Sequence, residues 1–208
     1  MKLFIAGSFG RDVATRLSKF VDIKVFSITE ATDKAVLSDI LMDETFVGSV
    51  THRPYTPELL NINTLAFERG FNWLPIENHG QRMTFGPLVK PHEGPCYACY
   101  QKRLWTHHKA PQREQVVSAY YQANAEYGVP GHLPSMTELA VQAMLAGLQC
   151  STENAGEFKV FDVVSGSILE SQVIGVHGCP ICGEDTNEQG AGSRFTSHLV
   201  PALGEILE

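Results

Sequence analysis

Lys2-Leu3-Phe4-Ile5-Ala6, running straight into Gly7-Ser8-Phe9-Gly10, decides how the chain is read. An apolar run of strand length meets a glycine turn. Val13, Leu17 and Phe20 then recur at helical spacing over residues 11–20. Ile23-Lys24-Val25-Phe26-Ser27-Ile28 follows as a second strand. Strand, glycine turn, helix, strand is the opening of a Rossmann-like unit. The alternation continues with a short helix over 35–41, a strand at 46–50, and a helix from Pro57 to about residue 71 with Thr56 as its cap. Trp73-Leu74-Pro75-Ile76-Glu77 and residues 81–89 read as further strands. The expected fold class is α/β: a Rossmann-like, mostly parallel sheet with helices on both faces.

A glycine turn at a helix N-terminus is where such folds hold phosphate. Here the turn has Gly7 and Gly10, not the three glycines of Gly-x-Gly-x-x-Gly. Glu30 and Asp33 lie beyond the second strand, but neither has convincing spacing for a ribose. A structural turn without nucleotide is the reading these departures favour.

Cys96-Tyr97-Ala98-Cys99 and Cys179-Pro180-Ile181-Cys182 account for four of the five cysteines. Each pair has the spacing of a zinc knuckle, and two knuckles complete one tetrahedral Cys₄ site. Cys96, Cys99, Cys179 and Cys182 are therefore expected to hold structural zinc. Four thiolates leave no open position for water, so catalysis at the metal is not expected. Disulfides would need an oxidising compartment, and no signal peptide is visible. A thioredoxin-like site would need one pair at a helix start. Cys150 reads as a small buried hydrophobe at a helix end.

Composition bounds the function. The chain has 208 residues, is 43% apolar and carries a formal charge of −7. That charge argues against non-specific nucleic-acid binding. No apolar run approaches the roughly 20 residues that span a bilayer. A cytoplasmic location is expected.

Gly86-Pro87-Leu88-Val89-Lys90-Pro91, then Gly94-Pro95-Cys96-Tyr97-Ala98-Cys99 with the basic pair Lys102-Arg103, resembles the ubiquitin-activating-enzyme-like (ThiF/MoeB-like) superfamily. The resemblance is closest to the ocin-ThiF-like cyclodehydratase component of thiazole/oxazole-modified peptide biosynthesis. It extends over a helix at 135–149 opened by the capping box Ser135 to Glu138, and a hairpin of residues 158–163 and 169–176 around Ser165-Gly166-Ser167. It ends at Cys179-Pro180-Ile181-Cys182-Gly183, so residues 1–183 form the expected domain.

The resemblance implies two possible roles. Adenylating members bind ATP and activate a carboxylate, using a glycine loop, an acid on the ribose, an Arg, a Lys and a metal-binding Asp. That set cannot be placed here. The strand at 46–50 ends in Thr51-His52-Arg53-Pro54, and Arg11 and Arg16 are equally explained as a solvated helix face. The peptide-modifying branch instead works with a YcaO-type partner that uses ATP to cyclise a precursor peptide. The expectation is thus a non-catalytic scaffold with zinc and without ATP, in a homo- or hetero-oligomer. The alternative is an adenylyltransferase acting on a peptide or carrier-protein carboxylate. Members of the peptide-modifying branch usually carry an N-terminal peptide clamp. The first strand here starts at residue 2, so the expectation is either that a separate clamp protein brings the precursor or that the chain keeps only a scaffolding role.

Trp105, His107 and His108 beside Lys102 and Arg103 read as an exposed basic-aromatic patch. Tyr120, Tyr121 and Tyr127 lead into Gly128-Val129-Pro130-Gly131-His132-Leu133-Pro134, read as a crossover loop packed on a neighbour. Residues 184–208 read as a polar linker and a terminal helix with Leu199, Leu203, Ile206 and Leu207, suited to docking a second subunit.

Overall fold

The computed structural model describes residues 1–124, 127–149 and 154–183. Cys150 and the linker and terminal helix expected over 184–208 lie outside the described residues. β1 (Lys2–Ile5) leads into α1 (Gly7–Leu17), which starts at the glycine turn itself. Gly7 has φ +72, and a β-carbon on Gly10 would stand 2.8 Å from both the Ile5 side chain and the Val50 carbonyl. The glycines therefore let the first turn of the helix press onto the strand ends. Phe20 falls beyond α1 and is 54% exposed, so it is not part of the buried face.

β2 (Lys24–Ser27), a 3₁₀ turn (Ile28–Thr32), α2 (Lys34–Ile40) and β3 (Phe46–Thr51) follow. α3 (Thr56–Arg69) is capped by the backbone of Tyr55, and Thr56 is its first helical residue, not its cap. It ends at Gly70 in the left-handed conformation. β4 (Asn72–Asn78), β5 (Arg82–Phe85), α4 (Tyr97–His107), α5 (Pro111–Ala123), α6 (Pro134–Gln149), β6 (Glu157–Asp162) and β7 (Ile168–Gln172) complete the described elements. α6 begins at Pro134, so Ser135 lies inside the helix and the expected capping box is not formed. Glu138 instead pairs with Arg16 at 2.8 Å. A capping box does form at Ser27 and Glu30, which open the 3₁₀ turn.

The strand order is β2-β1-β3-β4-β5-β6-β7. The first four strands pair in parallel, and β4 through β7 pair antiparallel. The expectation of a mostly parallel sheet is corrected: the sheet is mixed. The reason is connection length. Only His79-Gly80-Gln81 separates β4 from β5, and a parallel return needs a crossover of about a dozen residues or more. β5 also stops earlier than expected, because Gly86 (φ +97) turns the chain. Val89 rejoins the sheet through an isolated bridge to Trp73.

Helices cover both faces. Phe4, Val47 and Trp73 point into one core with α2, α3 and the start of α4, while Leu3, Phe46, Val50 and Leu74 point into the other with α1 and α6. Gly48 lets α6 approach: a β-carbon there would lie 2.8 Å from the Met144 sulfur. Among the described residues, no helix is long and apolar enough to cross a membrane.

Candidate functional site

The first knuckle sits where the chain leaves Val89 and enters α4. Cys96 is the residue before the helix, and Cys99 lies in its first turn. Three buried contacts fix that turn. The Tyr97 N–H donates to Asn63 Oδ1 at 2.9 Å, the Tyr97 hydroxyl donates to Glu77 Oε1 at 2.9 Å, and its ring packs edge-on against Trp73. The second knuckle arrives after β7. Arg103 holds its approach by donating to the carbonyls of Ile174 and Gly175, and the Val176 N–H donates to Cys99 Sγ at 3.3 Å. Gly183 N–H closes the turn onto the Cys179 carbonyl.

All four expected ligands are buried and converge, with every sulfur within 4.8 Å of the others. The closest approaches are 3.8 Å for Cys96–Cys99, 3.6 Å for Cys96–Cys179 and 3.4 Å for Cys99–Cys182. A tetrahedral ion with sulfur bonds of about 2.3 Å requires sulfurs about 3.8 Å apart, so the set fits a metal ion. Hydrogen bonds from Cys182 and Cys96, with the Val176 N–H, pull the Cys99 thiol far below its usual range. Cys182 is driven the other way by its bonds to Cys96 and Cys99 and by burial. Four crowded thiols cannot all ionise by themselves. A divalent cation removes that conflict.

The second candidate lies outside the carboxyl ends of β1 and β3. These neighbours mark the topological switch point where such sheets bind ligands. A cleft of about 870 Å³ opens there, lined among others by Gly7, Ser8, Arg11, Ser27, His52 and Gly128. His52 stands between two glycines: a β-carbon on Gly7 or on Gly128 would overlap its ring. The Val129 N–H donates to the His52 carbonyl at 3.0 Å, which ties the 127–130 loop over the cleft. Burial, reinforced by Arg53 and Arg11, holds the His52 imidazole below its usual pKa.

No acidic residue lines this cleft among the described residues. Glu30 and Asp33 are used locally, Glu30 accepting from the Ser27 N–H at 2.7 Å and Asp33 capping α2 through Ala35 N–H at 2.8 Å. Of the candidate arginines, Arg11 faces the cleft, whereas Arg16 faces α6. Arg53 turns away, stacking 4.2 Å from the Tyr55 ring centroid and donating to the Tyr121 carbonyl at 2.6 Å.

The basic-aromatic patch divides. Arg103 serves the second knuckle, His108 lies 3.7 Å from Glu114, and Trp105 is 38% exposed. Tyr120 and Tyr121 belong to α5, not to the loop that follows it. The sequence reading did not single out Glu77, which its strand position, Pro75-Ile76-Glu77-Asn78, shows to be an acid in a buried run.

No protein-family model and no curated protein matches the chain. Solved structures do. The heterocyclase TruD matches with a TM-score of 0.58 at 19% identity over 93% of this chain. E. coli MccB with ATP gives 0.57 at 14% identity over 88% of this chain and 67% of that one. The E. coli microcin synthetase McbBCD complex gives 0.60 at 13% identity, over 86% of this chain and 67% of that one. The chain spans 28% of the heterocyclase it matches.

Proposed function

Proceeding from a ThiF/MoeB-like superfamily fold, we propose that the chain is a non-adenylating scaffold or regulatory subunit of a peptide heterocyclase complex. It acts with a YcaO-type ATP-dependent partner on a ribosomal precursor peptide. The observation that carries this reading is the position of His52. Its ring lies against Gly7, where a phosphate would approach the N-terminus of α1, and among the described residues the cleft around it is lined by no carboxylate for a metal or a ribose. The Cys96, Cys99, Cys179 and Cys182 cluster then serves as a structural zinc clamp joining the two ends of the antiparallel half. Residues 184–208 are assigned to docking. The chain's role is positional: it brings the partner and the precursor together.

A second reading, adenylation of a peptide or carrier-protein carboxylate, draws support from the likeness itself. The MccB match spans 67% of that protein, against 28% of TruD, and that structure contains ATP. Arg11 at the cleft is the residue that would serve it. ATP–pyrophosphate exchange by the purified chain with candidate peptides separates the two. Exchange above background rejects the scaffold. No exchange alone, with azoline formation once a YcaO-type protein and a Cys/Ser/Thr-rich precursor are added, supports it.

A further inference from the structure

The face of the sheet that holds Trp73 continues past β4 into a second cavity, about 390 Å³, roofed by α4 and α5 and floored by β4, β5 and β6. It is separate from the cleft at His52. Its floor carries Glu77, 2% exposed and the most deeply buried acid of the described residues. Tyr97 donates its hydroxyl to Oε1, and Gln101 Nε2 donates at 2.7 Å to the Tyr97 oxygen, so the phenolic hydrogen is committed to Glu77. A carboxylate accepts about four hydrogen bonds, and one donor reaches it here among the described residues. The remaining capacity faces the cavity.

The walls combine aromatic and aliphatic side chains with polar residues, among them Thr84, Gln101 and Ser118. Tyr100 packs at 4.7 Å on Phe158, and Leu104, Trp105 and Val160 belong to the apolar part of the lining. Of the basic groups lining it, Arg82 is directed at Asp162 (3.8 Å) and His108 at Glu114 (3.7 Å), while burial holds the pKa of the His79 imidazole down to about 4, so that it stays uncharged. α5 crosses above without burying a single side chain, although it carries Val116, Val117, Tyr120 and Tyr121. Of these, Val117 and Tyr121 line the cavity, and the helix leaves space for an occupant beneath it.

From this arrangement we infer that the cavity binds an organic monocation, a protonated amine or guanidinium on an apolar stem, with Glu77 as its counter-ion. An anion would face the buried carboxyl, and a neutral apolar molecule would leave it without a second partner. A cation gains both the carboxylate and the negative faces of Trp105 and Tyr100. The stem replaces water against Leu104, Phe158 and Val160. The inference holds whether the chain adenylates or scaffolds, because it uses no residue of the His52 cleft.

Calorimetric titration of the full chain at pH 8 tests it. The probes are phenethylammonium, its neutral isostere 2-phenylethanol and the anion phenylacetate. Nα-acetyl-lysine amide and Nα-acetyl-arginine amide represent a peptide side chain as the source. Saturable binding of a cation, with the alcohol and the anion at least about tenfold weaker, is expected. If the acetylated amides bind more tightly than phenethylammonium, the source is a basic peptide side chain; the reverse order indicates a free amine. Glu77→Gln keeps an acceptor for Tyr97 and should weaken cation binding at least about tenfold, with no loss of the weak alcohol binding. Trp105→Ala, at a partly exposed site, should weaken the cation several-fold and Trp105→Phe less. Phenylacetate binding as well as the cations, no cation binding at all, or unchanged cation affinity in a folded Glu77→Gln variant would each overturn the inference.

Discussion

His52 and Gly128 touch so closely that a β-carbon on Gly128 would overlap Cδ2 and Nε2 of the imidazole. Gly7 meets the same ring from the other side. The histidine at the end of β3 thus joins the first turn of α1 to the 127–130 loop across the switch point. A ring in that place both covers the helix N-terminus and leaves no room for side chains around it.

The two glycines are held for different reasons, and a substitution cycle separates them. The three nearest neighbours of a β-carbon on Gly128 are all ring atoms of His52, whereas Gly7 also has φ +72. Gly128→Ala should destabilise by about 1–3 kcal/mol through overpacking, and most of that loss should vanish in the Gly128→Ala/His52→Ala double variant. Gly7→Ala should cost as much or more, and His52→Ala should restore only part, because the left-handed backbone stays unfavourable for alanine. Urea midpoints of the four variants and wild type measure this. Equal rescue at both positions would contradict the assignment.

The knuckles give a prediction about metal. The chain as purified should carry one zinc per molecule. Cys96→Ser or Cys182→Ser should release it, with a stability loss on the order of several kcal/mol, since the clamp ties residues 83 apart in sequence. Elemental analysis together with thermal unfolding before and after chelation checks this. Absence of stoichiometric zinc, with unchanged unfolding in both variants, would remove the metal assignment.

Two arginines, both paired, should differ sharply. Arg16 reaches Glu138 from a 43% exposed position, and such pairs contribute little, so Arg16→Ala should change stability by less than about 1 kcal/mol. Arg103 donates to two carbonyls on the approach to the second knuckle. Arg103→Ala should cost about 1–3 kcal/mol and speed zinc loss to a chelator. Zinc release followed with a chromophoric chelator distinguishes them, and equal rates in both variants would remove the supporting role of Arg103.

Much of the scaffold was legible because its signals are local. The apolar run of β1 meeting Gly7, and the matched Cys-x-x-Cys spacing, specify a βα unit and a four-sulfur cluster without tertiary information. The parallel-to-antiparallel switch was also written in the chain, in the three residues between β4 and β5, but it is a constraint of length that hydrophobic periodicity does not register. The Ser-x-x-Glu pattern occurs three times, once at Ser167–Glu170 on the way into β7. It caps at Ser27–Glu30 and fails at Ser135–Glu138, where Pro134, pre-set to helical φ, starts the helix one residue earlier. Neither the plug at His52 nor the carboxyl at Glu77 could be read locally. Each depends on partners far away in sequence, Gly128 for the first and Tyr97 for the second.

Glu77 also makes stability depend on pH. Burial raises its pKa from the ordinary 4.5 to about 7, with the Tyr97 hydroxyl pulling partly back. The folded state therefore holds the proton more tightly than the unfolded chain does. The associated stability is fully present below about pH 4.5 and is lost as pH rises through 7. A shift of this size corresponds to about 3 kcal/mol. Glu77→Gln cannot ionise and still accepts from Tyr97. Its stability should match that of wild type near pH 4 and exceed it by roughly that amount at pH 8. Other groups also respond to pH, so the quantity to measure is the difference between variant and wild type in urea midpoints across that range. A difference that stays constant with pH would show that Glu77 does not carry the proton. If a cation occupies the cavity, adding phenethylammonium at pH 8 should raise wild-type stability toward that of Glu77→Gln and leave the variant unchanged.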